Sequence, residues 1–194
     1  MVAHEYLLAS GKPVGVDKEA GVINGYVVAQ AGDFKTGRGT FNSDSLAAIV
    51  DIINASPDGV VVNYGHQNDV GSNAALDAFL GRARNARVDG DKARADLHLN
   101  PVALSKHGGT GLGDRLMMRA ETDPASFASS LVVAADKQKQ RSGPPLWKPL
   151  AIMSSDMVYV GDAVHGGILA AEDTEGQDDE ARIRLRNLKR KATA

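Results

Sequence analysis

The spacing of apolar residues predicts an α+β domain built on a mostly antiparallel sheet or small barrel. Three observations carry this: several segments with strand character, a tight-turn signature joining two of them, and two or three segments whose apolar residues recur at helical spacing.

The first strand is expected from about Gly21 to Ala31 (GVINGYVVAQA), where β-branched and aromatic residues cluster, followed by a glycine-rich turn through Lys35–Gly39. A helix comes next. Asn42 or Ser43 can cap it, and Leu46, Ile49, Val50 and Ile53 fall on one helical face until Ser56-Pro57-Asp58-Gly59 stops it. Val60 to Tyr64 then reads as a buried strand that delivers the chain to Gly65-His66.

Leu80 to Val88 and Ala93 to Leu99 form a hairpin around Asp89-Gly90, because glycine tolerates the positive φ that a tight hairpin turn requires. A polar, glycine-rich loop (Ser105 to Gly111) leads into a second helix carrying Leu112, Leu116, Met117 and Ala120 on one side, which Asp123-Pro124 ends or redirects. Ser130 to Ala134 reads as a strand, Asp136 to Pro145 as a basic and polar loop, and Leu150 to Val160 as a further strand. The chain divides into a domain over residues 1–170 and a charged tail over 171–194. Glu172 to Glu180 holds acidic residues without basic ones, and Arg182 to Lys191 holds the reverse. Ile183, Leu185 and Leu188 give that tail too weak a stripe to make a stable helix by itself.

The chain has 194 residues, 43% of them hydrophobic and 24% charged, a composition that folds. A net charge of -2 argues against a wholly basic surface, so nucleic acid is not an expected partner. No apolar run approaches the roughly 20 residues needed to cross a bilayer, and no basic start precedes an apolar signal core. No membrane association is expected, and the cytoplasm is the expected compartment. Cysteine is absent, which excludes disulfides, Cys-ligated metal sites and a Cys nucleophile and leaves Ser, Thr, Asp, Glu, Lys and His for chemistry.

Of the five histidines, His66 stands at a strand-to-loop junction in YGHQND, where a scaffold presents functional groups; hydrogen bonding to the following loop would explain it equally well. His98 shares a strand face with Asp96 and suits a surface cross-strand contact, while His4, His107 and His165 show no ligand spacing. Ser126, Ser129 and Ser130 cluster in DPASFASSLVV with Ser130 opening the strand, and capping or turn-making accounts for them on pattern alone. The loop His107 to Gly113 lacks the ending of a phosphate-binding loop, and no pair of histidines has the i, i+4 spacing of a metal hydrolase.

The order of these segments resembles the prohead proteases of tailed bacteriophages from about Gly21 to Leu169. In that family a histidine strand is followed by a G-R-x-x-N-x-R-x-x-G-D-x-x-x-A-D-L hairpin, matched by Gly81, Arg82, Asn85, Arg87, Gly90, Asp91, Ala95, Asp96 and Leu97. A D-P-x-x-F-x-x-S-[IL]-V segment is matched by Asp123, Pro124, Phe127, Ser130, Leu131 and Val132, and an S-D-x-V segment by Ser155-Asp156-Met157-Val158. There are two departures: Gln67 stands where a proline is common, and Gly161-Asp162-Ala163-Val164 replaces the usual D-E-P-A.

The resemblance implies a herpesvirus assemblin-like fold, a small β-barrel surrounded by helices. It also implies Ser130 as nucleophile, His66 as base and Asp156 as the group that orients the histidine, with no cofactor and with Arg141 near the oxyanion site. The implied activity is serine endopeptidase cleavage of scaffold and capsid-protein segments, and of the protease itself, inside an assembling procapsid in the host cytoplasm. The implied partners are the major capsid protein and the scaffold protein, and a homo-oligomer is compatible with this. Two other readings stay open: a capsid-assembly module that keeps this fold without activity, and an unrelated ligand-binding domain using the His107 to Gly113 loop.

Overall fold

The computed structural model describes residues 5–10, 12–34, 37–65, 78–104 and 111–159. In chain order these give β1 (Glu5–Ser10), β2 (Gly15–Asp17), β3 (Val22–Gln30), β4 (Gly32–Asp33), β5 (Thr40–Phe41), α1 (Ser43–Ala55), β6 (Val60–Asn63), β7 (Phe79–Asp89), β8 (Lys92–Leu99), α2 (Leu112–Thr122), β9 (Phe127–Gln138) and β10 (Leu146–Tyr159). The strands make two five-stranded sheets, ordered β1-β9-β10-β5-β4 and β2-β3-β8-β7-β6. Every strand pairing is antiparallel except β10 with β5, which are parallel.

The expected barrel ringed by helices is therefore corrected. Closure requires edge strands that pair along their length. Here β10 meets β5 at one residue pair, Leu146 with Thr40, β4 and β5 have two residues each, and the two sheets are linked by an isolated parallel bridge between Tyr64 and Met157. Two α-helices are present among the described residues. They arise from the two segments with a full apolar stripe; α1 packs on β7 and β10, and α2 on β2.

Local chemistry explains the main elements. Asn42 caps α1 by accepting from the Ser45 amide at 2.9 Å, and the Ser45 hydroxyl accepts from the Asn42 amide at 3.3 Å, a reciprocal box that satisfies two amides. Leu46, Ile49 and Ile53 are then buried, as their spacing predicts, and Val50 packs at the margin of the same core. Ser45 also donates to the Trp147 carbonyl at 2.7 Å, tying the start of α1 to β10. In α2, Leu116, Met117 and Ala120 face the core. The core lies between the inner faces of the sheets and includes Ile23, Tyr26, Val28, Leu80, Leu97, Leu131, Val133, Trp147 and Met157.

The β7–β8 hairpin accounts physically for much of the matched motif. Asp89 pairs with Lys92, so Gly90 and Asp91 form a two-residue turn, with Gly90 at φ 60° as the first turn position of a primed hairpin requires. Gly81 lies where a Cβ would collide with the His98 carbonyl oxygen across the ladder. Asn85 adopts φ 52° within a bulge between Arg84 and Arg87, and its amide donates to Asp96 Oδ2 at 3.3 Å. Arg87 donates to Asp96 Oδ1 at 3.1 Å, and the Gly25 amide, at an irregularity in β3, donates to the same oxygen at 2.9 Å. Asp96 thus joins two deformed strands.

The last hairpin is longer than its sequence suggests. Strand β9 begins at Phe127, not Ser130, because it pairs with both β1 and β10 from its first residues. It runs to Gln138, where Lys137 opposes Trp147 and sets its ammonium 4.2 Å from the indole centroid, so the basic loop shrinks to residues 139–145.

Candidate active site

Strand β9 is an interior strand of its sheet, flanked by β1 and β10, and Ser130 lies near its start with Leu8 opposite on one side and Asp156 on the other. Directly opposed residues of antiparallel strands point to the same face with Cβ atoms about 4.5–5.5 Å apart. Ser130 and Asp156 are such a pair, and both are 2% exposed. A buried carboxylate needs hydrogen-bond partners. Asp156 has one in Asn63, whose amide donates to Oδ1 at 3.1 Å from the end of β6.

The backbone after Asn63 follows β10. Tyr64 bridges to Met157, and the Gly65 amide donates to the Met157 carbonyl at 2.8 Å. Gly65 immediately precedes His66 in sequence, so the chain carrying the expected base approaches β10 one residue from Asp156. His66 itself lies outside the described residues, as do His4, His107, His165, most of the His107 to Gly113 loop, Gln67, the Gly161 to Val164 segment and the whole 171–194 tail.

The neighbouring serines face the other way. Ser129 is fully buried and donates to the Val27 carbonyl at 2.6 Å; Ser155 is fully buried and accepts from the Tyr26 hydroxyl at 3.1 Å. Burial pushes the Tyr26 hydroxyl well above its ordinary ionisation range; the bond to Ser155 opposes this, and the charges of Asp156 and Asp96 add to it. Ser126 has the turn-making role its residue type suggests: it accepts from Arg119 Nε and donates to the Asp123 carbonyl, both at 2.9 Å.

No protein-family model matches the chain, and no curated protein matches it. Among solved structures it is similar to the bacteriophage T4 capsid assembly protease, gp21, with a TM-score of 0.44 and 12% identity over 78% of this chain and 98% of that one. A superposition this loose carries no functional weight.

Two sequence expectations move. Arg141 sits exposed in the loop at the far end of the β9–β10 hairpin from Ser130, on the order of 25 Å away along the ladder, too far to serve an oxyanion at Ser130 in this arrangement. His98 pairs in register with Val22 and Arg82, but its Nε2 is buried without a hydrogen-bond partner rather than making a surface contact. Asn63, Tyr26 and Ser155 are functional candidates that sequence reasoning missed. Asn63 did carry a signal, as the polar residue closing the apolar run VVVN three positions before His66.

No group of three or more potential metal-binding side chains occurs among the described residues. No described helix is long and apolar enough to cross a membrane.

Proposed function

We propose that the protein is a serine endopeptidase of capsid maturation, with Ser130 as nucleophile, His66 as general base and Asp156 as the carboxylate that orients and charge-stabilises the histidine. The observation that supports it most is the cross-strand pairing of Ser130 with Asp156 beside the incoming Gly65. In this reading His66 takes the Ser130 proton, and the alkoxide adds to a peptide carbonyl. The protonated His66 then gives its proton to the leaving amine, and water releases the acyl group by the same base. Oxyanion donors near Ser130 complete the requirement, each typically worth on the order of 100-fold or more in rate. Substrates are scaffold and capsid-protein segments of a procapsid assembled in the host cytoplasm, and the protein's own chain; no cofactor takes part.

The burial of Ser130 favours a second reading, a capsid-assembly module of the same fold without activity, since a nucleophile must meet its carbonyl. Incubation with the capsid and scaffold proteins, followed by mass spectrometry, separates the two. New fragments from the parent and none from a folded Ser130→Ala variant support the protease. Fragment release by Ser130→Ala at the parent rate removes Ser130 as nucleophile, and no fragments from a folded parent leave the inactive module.

A further inference from the structure

We infer that Tyr26, Ser155 and Ser129 form a clamp on the inner face of the β9–β10 pair that fixes the register holding Ser130 opposite Asp156. The inference rests on the protease reading above and adds three positioning residues to it.

Successive residues of a strand point to opposite faces, so a slip of one residue between β9 and β10 would exchange inner and outer side chains. Ser129 and Ser155 are the inner neighbours of Ser130 and Asp156, and each is anchored to adjacent residues of β3 in the other sheet. Ser129 donates to the Val27 carbonyl at 2.6 Å, and Ser155 accepts from the Tyr26 hydroxyl at 3.1 Å. Tyr26, Ser129 and Ser155 are all 0% exposed in a core otherwise dominated by apolar residues. A hydroxyl buried without a partner costs about 1–3 kcal/mol, so each anchor penalises any register that breaks it.

Strand β10 has particular need of such a device. Its pairing with β9 is interrupted between Pro149 and Ala151 and again between Ile152 and Ser154, so an unpaired residue enters twice just before the site. Ladder hydrogen bonds alone distinguish poorly between one register and the next, because every residue of the pair except Pro149 offers the same backbone groups. The side-chain anchors at Ser155 and Ser129 lie immediately beyond these bulges, one on each strand.

The test is the rate at which a fluorophosphonate probe, which phosphonylates activated serines with loss of fluoride, labels Ser130 in the full chain, followed by mass spectrometry well below every variant's melting temperature. Tyr26→Phe and Ser155→Ala should each slow labelling about tenfold, since misplacement by a fraction of an ångström already weakens a reaction that depends on alignment. Their double variant should be no slower than either alone, because both remove one hydrogen bond. Ser129→Ala should slow labelling by a similar factor and compound the effect of Tyr26→Phe. Ile49→Val, a core change in α1 that removes none of the clamp's hydrogen-bonding groups, lowers stability and should leave the rate unchanged. Parent-like labelling in the clamp variants, or equal slowing by Ile49→Val, overturns the inference. Absence of labelling in the folded parent overturns the protease reading instead, and the inference with it.

Discussion

Asp156 faces Ser130 across the β9–β10 ladder while its carboxylate receives the Asn63 amide at 3.1 Å, so one residue joins the strand before His66 to the strand of the proposed nucleophile. This arrangement makes the role of Asp156 separable from its fold contribution. In Asp156→Asn the carbonyl oxygen can keep the Asn63 contact, whereas the second oxygen becomes an amide donor that cannot accept from an imidazole N–H. Cleavage should fall by up to about 10⁴-fold, as when the carboxylate of a serine-protease triad is replaced by its amide. The melting temperature should change by only a few degrees. Single-turnover cleavage beside a thermal melt measures both, and a variant cleaving at the parent rate makes Asp156 structural.

Cleavage by a neutral histidine base has a direction in pH. A histidine base is inactive while protonated and becomes competent on losing that proton, which an unperturbed imidazole does near about pH 6.5, so His66 in that role predicts a rate that rises with pH. The single-turnover rate should climb along one ionisation and level off. A flat rate between about pH 5 and 8 in single-turnover conditions counts against His66 as the base.

Much of this organisation was legible locally. The α1 stripe of Leu46, Ile49 and Ile53, the Asn42 cap and the Gly90 turn each depend on residues within a few positions, where periodicity and turn chemistry act directly. What was not legible depends on distant partners. Glu5 pairs with Val133 and Asn63 reaches Asp156, and no local pattern reports a contact across so many residues. The barrel expectation failed for the same reason, because closure is decided by which edges pair and the two-residue strands β4 and β5 cannot extend one. The serine cluster read as a turn because small hydroxyl residues favour turns; buried next to β3, Ser129 finds its acceptor in the other sheet instead.

The Asp96 network gives a stability expectation independent of activity. Asp96→Ala removes the acceptor of the part-buried Gly25 amide together with the Asn85 and Arg87 contacts. The exposed share of the Arg87 pairing contributes little, so the loss is dominated by the stranded amide and should amount to about 1–3 kcal/mol. Asp96→Asn keeps an acceptor for Gly25 and should lose less. Urea denaturation decides it: a lower midpoint with unchanged slope for Asp96→Ala, and an intermediate midpoint for Asp96→Asn, are the expected results. Equal midpoints for all three proteins would remove Asp96 from the account of the two bulges.

Tyr26 supplies an alkaline signature. Its hydroxyl ionises near pH 10 in the unfolded chain, and burial holds it protonated to much higher pH in the folded one. Above about pH 10 the unfolded state has released a proton that the folded state retains, so unfolding becomes easier as pH rises, by at most about 1.4 kcal/mol per pH unit. Below that range the contribution is complete, and the Tyr26 bond to Ser155 makes the parent more stable than Tyr26→Phe by about 1 kcal/mol. The variant has no such group to ionise, so its stability should decline less steeply above about pH 10. The two curves should converge and cross roughly one pH unit higher. Other tyrosines and lysines titrate in both proteins and cancel in the comparison. Denaturant unfolding of the two chains from pH 8 to 11 measures the difference directly; parallel curves through pH 11 would mean that the Tyr26 hydroxyl is not held protonated by the core.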